Sequence, residues 1–158
     1  MSDNLKVFVT GEIDRSEFSR IRDWLHQIGP AATVQISESH WGRGDVQSER
    51  DQNLLVDPDF VIVCQSWPDE FSASEVTLAL CRWPLALWVC CYGAWCASDG
   101  RTRSIWPISV RVPVEEAEGR LNHVWRVLTG QRDEPLPLTA SRDEAFEFDH
   151  CLMSVARP

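Results

Sequence analysis

Residues 60–64, Phe-Val-Ile-Val-Cys, form an unbroken apolar run between the turn-forming Asp57-Pro58-Asp59 and the polar Gln65-Ser66. A strand with one face in water alternates apolar and polar residues, whereas one covered on both faces does not. This run therefore predicts a strand with packed layers on both sides, the condition met inside a parallel sheet flanked by helices. Residues 85–91, after Pro84, predict a second strand of the same kind. Two such strands exclude a helical bundle and an open antiparallel sheet with one wet face.

The rest of the chain supplies the covering layers. Residues 5–10 are β-rich and stop at Gly11, giving the first strand. Asp14, with Glu17 three residues on, predicts a helix start of the capping-box kind; Phe18, Ile21, Leu25 and Ile28 continue as one helical stripe up to Gly29-Pro30. Residues 32–37 alternate and give the second strand, while residues 39–57 are polar with a weak helical pattern near residues 54–56. Ser72 and Glu75 form a capping box ahead of a helix with Val76, Ala79, Leu80 and Trp83 on one stripe. Residues 108–112 predict a fifth strand, and a last helix follows Pro113. Its first turn carries Glu115, Glu116 and Glu118, where the helix dipole favours acids, and Gly130 is its expected stop. Strands alternating with helices imply parallel pairing through right-handed crossovers. The expected architecture is α/β, a doubly wound five-stranded parallel sheet of order 2-1-3-4-5. It resembles the flavodoxin-like three-layer sandwich.

The 158 residues suit one domain at residues 1–130 and an acidic tail or arm at residues 131–158, which carries six acids and three Arg. The net charge of −9 disfavours a nucleic-acid partner, because phosphates would be repelled. The longest apolar stretch, residues 83–91, is too short for a membrane span, which needs about 20 residues. The opening Met1-Ser2-Asp3-Asn4 lacks the pattern of a secretion signal. With six Cys lying mostly in apolar stretches, a cytoplasmic chain of free thiols is expected rather than a disulfide scaffold. Eight Trp are more than one core of this size absorbs, so some are expected at the surface as contact residues.

Open α/β sheets keep their sites at the carboxyl ends of their strands. The segment at residues 58–69, Pro-Asp, an apolar strand ending at Cys64, then Gln65-Ser66-Trp67-Pro68-Asp69, resembles the central signature of response-regulator receiver domains. The direct match is twelve residues; beyond it the likeness is one of element order. The resemblance implies a phosphoacceptor position at Cys64, an acidic pair near Gly11 and Glu12, a hydroxyl position at Cys90 or Cys91, and a lysine position at Val112. Phosphoryl transfer needs a carboxylate nucleophile, a divalent ion and a cation for the developing charge. With most of those groups replaced, the resemblance implies a degenerate pseudo-receiver with no catalytic residues, no metal and no cofactor. Its role would be regulatory, through a protein partner or self-association.

The loop over residues 92–107 stands where a receiver carries its fourth helix, and it brings Tyr92, Trp95, Arg101, Arg103 and Trp106 to the functional edge. With Trp67 they make the expected partner or ligand surface. Folding of Trp95 and Trp106 under the loop, as a cover for the sheet, is the competing expectation. A second function is a flavodoxin-like FMN binder, with Trp67 and Tyr92 or Trp95 sandwiching a flat ring and Thr10-Gly11 in the phosphate loop; Glu12 and Asp14 oppose phosphate there. A third is thiol chemistry at Cys64, against which no predictable neighbour lowers its pKa. Zinc-ligand spacing is absent around Cys90, Cys91 and Cys96, with His123 and His150 remote in sequence.

Overall fold

The computed structural model describes residues 4–37, 57–99, 105–131 and 134–155. Five parallel strands run through it: β1 (Leu5–Gly11), β2 (Ala32–Ser37), β3 (Phe60–Gln65), β4 (Leu87–Tyr92) and β5 (Arg111–Pro113). Their order is β2-β1-β3-β4-β5, as expected, and all neighbours are parallel. Helices α1 (Ser19–Ile28), α2 (Ala73–Arg82) and α3 (Ala117–Leu128) cover the sheet. The arrangement is flavodoxin-like.

The unbroken apolar strands are explained by two cores. Successive side chains of a strand point to opposite faces. Ile62 and Cys64 of β3, with Val7, Val9, Val89, Cys91 and Val112, face α1 and α3 and meet Ile21, Trp24, Leu25 and Leu121. Val61 and Val63, with Phe8, Trp88 and Cys90, face α2 and meet Phe71, Val76 and Ala79. No residue of β3 has a solvent-facing side, so none is free to be charged.

Over β4 the α2 layer is completed by tryptophans. Trp83, Trp88 and Trp106 lie in a chain of ring contacts 6.0 and 6.1 Å apart, closed by Phe71 against Trp106 and Phe8 against Trp83. Trp106 and Val110 are both buried in this layer.

Three local expectations change. The fifth strand is shorter than residues 108–112: Ile108–Val110 winds as a 3-10 turn, and pairing with β4 begins at Arg111. Val110 turns into the core beside Trp106, and the Ser109 carbonyl is taken by Arg120, so neither residue follows β4. The fourth strand starts at Leu87, two residues late, because Ala86 N–H closes a turn on the Trp83 carbonyl at 3.2 Å. The first helix starts at Ser19 after a 3-10 turn at Ser16–Phe18, and no side chain caps it. Glu17 is drawn instead to Ser66, as described below.

Elsewhere the local signals act as expected. Ser72 and Glu75 form the capping box of α2, with both hydrogen bonds present. Gly130 ends α3 at φ +66°, and Gln131 N–H reaches the Arg126 carbonyl at 3.0 Å while Gly130 N–H reaches that of Val127 at 3.2 Å. That double closure is the Schellman ending, which favours glycine at the left-handed position. The weak helical pattern expected near residues 54–56 falls outside the described residues.

The acidic arm contains a helix, α4 (Arg142–Val155), that packs on α3. Ser141 and Glu144 cap it reciprocally, with hydrogen bonds of 2.6 and 3.3 Å. Arg120 of α3 grips Asp149 of α4 through two 2.8 Å hydrogen bonds, both side chains being buried. Phe148 stands edge-on to His123 at 4.5 Å, and the His123 ring meets the Glu134 carbonyl at 3.0 Å.

Candidate functional site

The carboxyl edge of β1, β3 and β4 is built from turns that are tied to one another. Glu70 carries the turn after β3: its Oε2 accepts from Ser66 N–H at 2.7 Å and Trp67 N–H at 3.2 Å. Gln65 donates to the Trp67 carbonyl at 3.0 Å, and Gly93 N–H reaches back to the Gln65 carbonyl at 2.9 Å. Ser66 Oγ donates to Glu17 Oε1 at 2.7 Å, joining the loop after β1 to the loop after β3. That bond explains why Glu17 leaves its expected capping role. A Cβ at Gly93 would stand 2.4 Å from Glu17 Oε2, so glycine lets the carboxylate lie there.

Of the positions that the receiver resemblance assigns, Gly11, Cys64, Cys90, Cys91 and Val112 are buried. Cys64, Cys90 and Cys91 are fully buried, and so is Val112. Cys64 and Cys91 are cross-strand neighbours on the α1/α3 side. Cys90 faces the other way and donates its thiol to Gln65 Oε1 at 3.6 Å. Burial, reinforced by neighbouring thiols, pushes the Cys64, Cys90 and Cys91 thiols well above their ordinary range, which keeps them protonated and poorly nucleophilic. Gly11 cannot be an acid in this backbone. It sits at φ +98°, and a Cβ there would come 2.1 Å from the Cys64 carbonyl oxygen. Glu12 is exposed and pairs with Arg15 at 3.0 Å. Among the described residues, no three His, Cys, Asp or Glu side chains gather into a metal-ligand set.

What stands out at the edge is aromatic. Trp67 and Trp95 are 43% and 66% exposed and stack on one another, with centroids 6.1 Å apart and planes 23° from parallel. The Arg15 guanidinium lies 5.0 Å from the Trp67 centroid. Its Nε is 3.5 Å from Glu17 Oε1. Arg15 thus links the aromatic pair to the polar ties beneath. Tyr92, half-buried, lies under the Arg111 guanidinium, 4.2 Å from its centroid. Arg111 also donates to the Cys96 carbonyl at 2.7 Å, and the Cys96 thiol points to the Gln65 carbonyl at 3.7 Å. Burial pushes that thiol up to about 12.

Of the surface expected from the sequence, Trp67 and Trp95 come together and Tyr92 lies on the neighbouring strand end. Trp106 does not join them: it is 4% exposed and faces the α2 layer, the cover role weighed against the contact role. Arg101 and Arg103 lie outside the described residues. Trp67 and Trp95 occupy each other's faces, so the slot expected for a flat cofactor ring is closed between them. Backbone groups of the loop after β1 are turned on one another, Ile13 N–H to the Gly11 carbonyl at 2.9 Å and Arg15 N–H to that of Glu12 at 3.1 Å. Sequence reasoning missed Arg15, Ser66 and Glu70, which look like ordinary loop residues until the strand ends are brought together.

No family model matches the chain, and neither a curated protein nor a solved structure matches it. The likeness to receiver domains therefore rests on residues 58–69 and on the strand order.

Proposed function

We propose that this chain is a non-catalytic, receiver-like binding or regulatory module that works through protein–protein contacts at the carboxyl edge of its sheet. The observation that carries the reading is the exposed Trp67–Trp95 stack, held by Arg15 at the place where open α/β sheets keep their sites. Large rigid aromatics offer contact area at low entropic cost and are enriched where binding energy concentrates. Buried thiols at the acceptor and hydroxyl positions, and a glycine at an acidic one, support the absence of phosphoryl chemistry.

The reading places the protein in the cytoplasm, which the six free thiols favour. Among the described residues no helix is long and apolar enough to cross a membrane. The net charge of −9 favours a protein over a nucleic acid as partner. The flavodoxin-like FMN reading would require Trp67 and Trp95 to part, and it predicts a yellow protein.

The test replaces both exposed rings, Trp67→Ala with Trp95→Ala, and follows self-association by analytical ultracentrifugation and partner capture from source cells. Loss of the complex with an unchanged fold is the expected result. An unchanged complex overturns the contact surface. Saturable, Mg²⁺-dependent binding of beryllofluoride would overturn the pseudo-receiver part.

A further inference from the structure

On the β5 side of the same edge, the docked arm creates a groove of about 350 Å³. Tyr92, Ile108, Arg111 and Glu116 form one wall; Arg142, Phe146 and Asp149 of α4 form the other. The volume lies at the lower end of small-ligand sites, too small for a peptide of several residues and sufficient for one compact molecule.

The chemistry of the walls is specific. Arg111 is held in place from two sides, by the Tyr92 ring and by the Cys96 carbonyl, and among the described residues it makes no ion pair. A guanidinium so fixed loses little further freedom when it meets a carboxylate, and its planar fork matches one. Asp149 is already satisfied by Arg120, so it does not compete for Arg111. Glu116 also lines the groove, and burial, with Asp149 and Glu115 nearby, raises its pKa. A phosphate dianion would meet that acid at double charge, whereas a monocarboxylate can turn its single charge to Arg111. Phe146 supplies the apolar part. It is 68% exposed, lines the groove and stacks at 6.1 Å on His150. An exposed aromatic beside a cation fits a ligand with a flat apolar body and one acidic group.

We propose that this groove binds a small aromatic or amphiphilic monocarboxylate, with its carboxylate on Arg111 and its apolar body on Phe146. Because α4 contributes one wall, the site exists only with the arm docked. The ligand therefore stabilises the docked arm by mass action. The proposal does not depend on the Trp67–Trp95 surface and stands or falls separately.

The probe is 2-naphthoate, titrated calorimetrically into the full chain, with 2-naphthalenemethanol as the uncharged analogue and inorganic phosphate as the anion without a ring. Naphthoate should bind with one-to-one stoichiometry, at least tenfold more tightly than the alcohol, and phosphate should not compete. Arg111→Gln should bring naphthoate down to the level of the alcohol. Phe146→Ser, at an exposed position that leaves the fold intact, should weaken both aromatic probes by fivefold or more. Saturating naphthoate should slow hydrogen exchange in α4. Equal affinity for naphthoate and the alcohol overturns the proposal, as does no saturable binding at millimolar naphthoate. Unchanged binding in Phe146→Ser, or unchanged α4 exchange, does the same. If Arg111→Gln does not fold, the Phe146→Ser and alcohol comparisons decide the matter.

Discussion

Trp67 and Trp95 form one tryptophan pair at the rim of the sheet, and Trp88 and Trp106 form another inside the α2 layer. Both pairs touch at 6.1 Å between centroids. Trp88 and Trp106 are 7% and 4% exposed, whereas Trp67 and Trp95 are 43% and 66% exposed. Trp88 lies within β4, so the pleat drives it into a layer, and Trp106 packs against it in that layer. Trp67 and Trp95 lie in the turns just past the ends of β3 and β4, where Trp67 is covered only in part, by Arg15 and by Trp95. An indole is placed in the core or at the rim by its position relative to a strand end, and the two pairs should answer to different measurements.

The largest separation should come from truncating the buried pair. Trp106→Ala removes a large side chain from a closed layer and should cost about 3–5 kcal/mol, the usual range for such a cavity. Urea denaturation should show the midpoint falling while the slope holds. A cost below about 1 kcal/mol would mean that Trp106 is a lid and that the layer closes without it.

Asp149→Ala tests whether the arm is held by a bond as buried as the tryptophans. It leaves Arg120 as an uncompensated buried charge, and losing one partner of such a pair costs about 3 kcal/mol or more. The α4 amides should exchange faster than those of α2. Equal exchange in the variant would show that Phe148 and Ala145 hold the arm without the ion pair.

The thiols divide as the tryptophans do. Cys81 and Cys151 are exposed and should react quickly with a disulfide reagent at pH 8, while Cys64, Cys90, Cys91 and Cys96 should react only on unfolding. Burial keeps these four protonated above their ordinary value of 9.0, reaching about 12 for Cys96. The unfolded chain then binds fewer protons than the folded one once pH passes about 9, so stability is full below that point and falls as pH rises above it. Stability unchanged from pH 8 to 10.5 would contradict the burial of these groups.

The smallest effect belongs to the exposed pair. Trp67→Ala with Trp95→Ala should lower stability by about 1 kcal/mol, since only their exposed mutual contact and the contact of Arg15 with Trp67 are lost. Arg15→Ala should cost about 0.5 kcal/mol, the scale of an exposed cation–π contact. A loss comparable to Trp106→Ala would place the rim pair in the core and undermine its role as a contact surface.

The parallel sheet and its helices were legible in the sequence because two-sided burial leaves an apolar run at residues 60–64 and because the Ser72–Glu75 cap and Gly130 stop mark helix ends; its order followed from the doubly wound alternation of strands and helices. The capping pattern at Ser141 and Glu144 is equally local, yet the stretch was expected only as an acidic arm and α4 was missed. The start of α1 was misread for a different reason. Glu17 obeys a local rule in sequence, but Ser66, forty-nine positions away, offers its hydroxyl once β1 and β3 are side by side.

The same division runs through the candidate site. The sequence by itself determined a parallel α/β sheet, the burial of Cys64 and Cys91, and the concentration of tryptophans near strand ends, because each follows from periodicity and turn chemistry within a few residues. Only the tertiary structure decided that Trp106 is core and Trp95 is rim, that Arg15 stands over Trp67, and that Arg120 reaches Asp149. Those outcomes depend on which loops meet across the sheet edge and on how the α2 layer closes over β4. Such contacts join residues far apart in the chain, and no pattern of neighbouring residues encodes them.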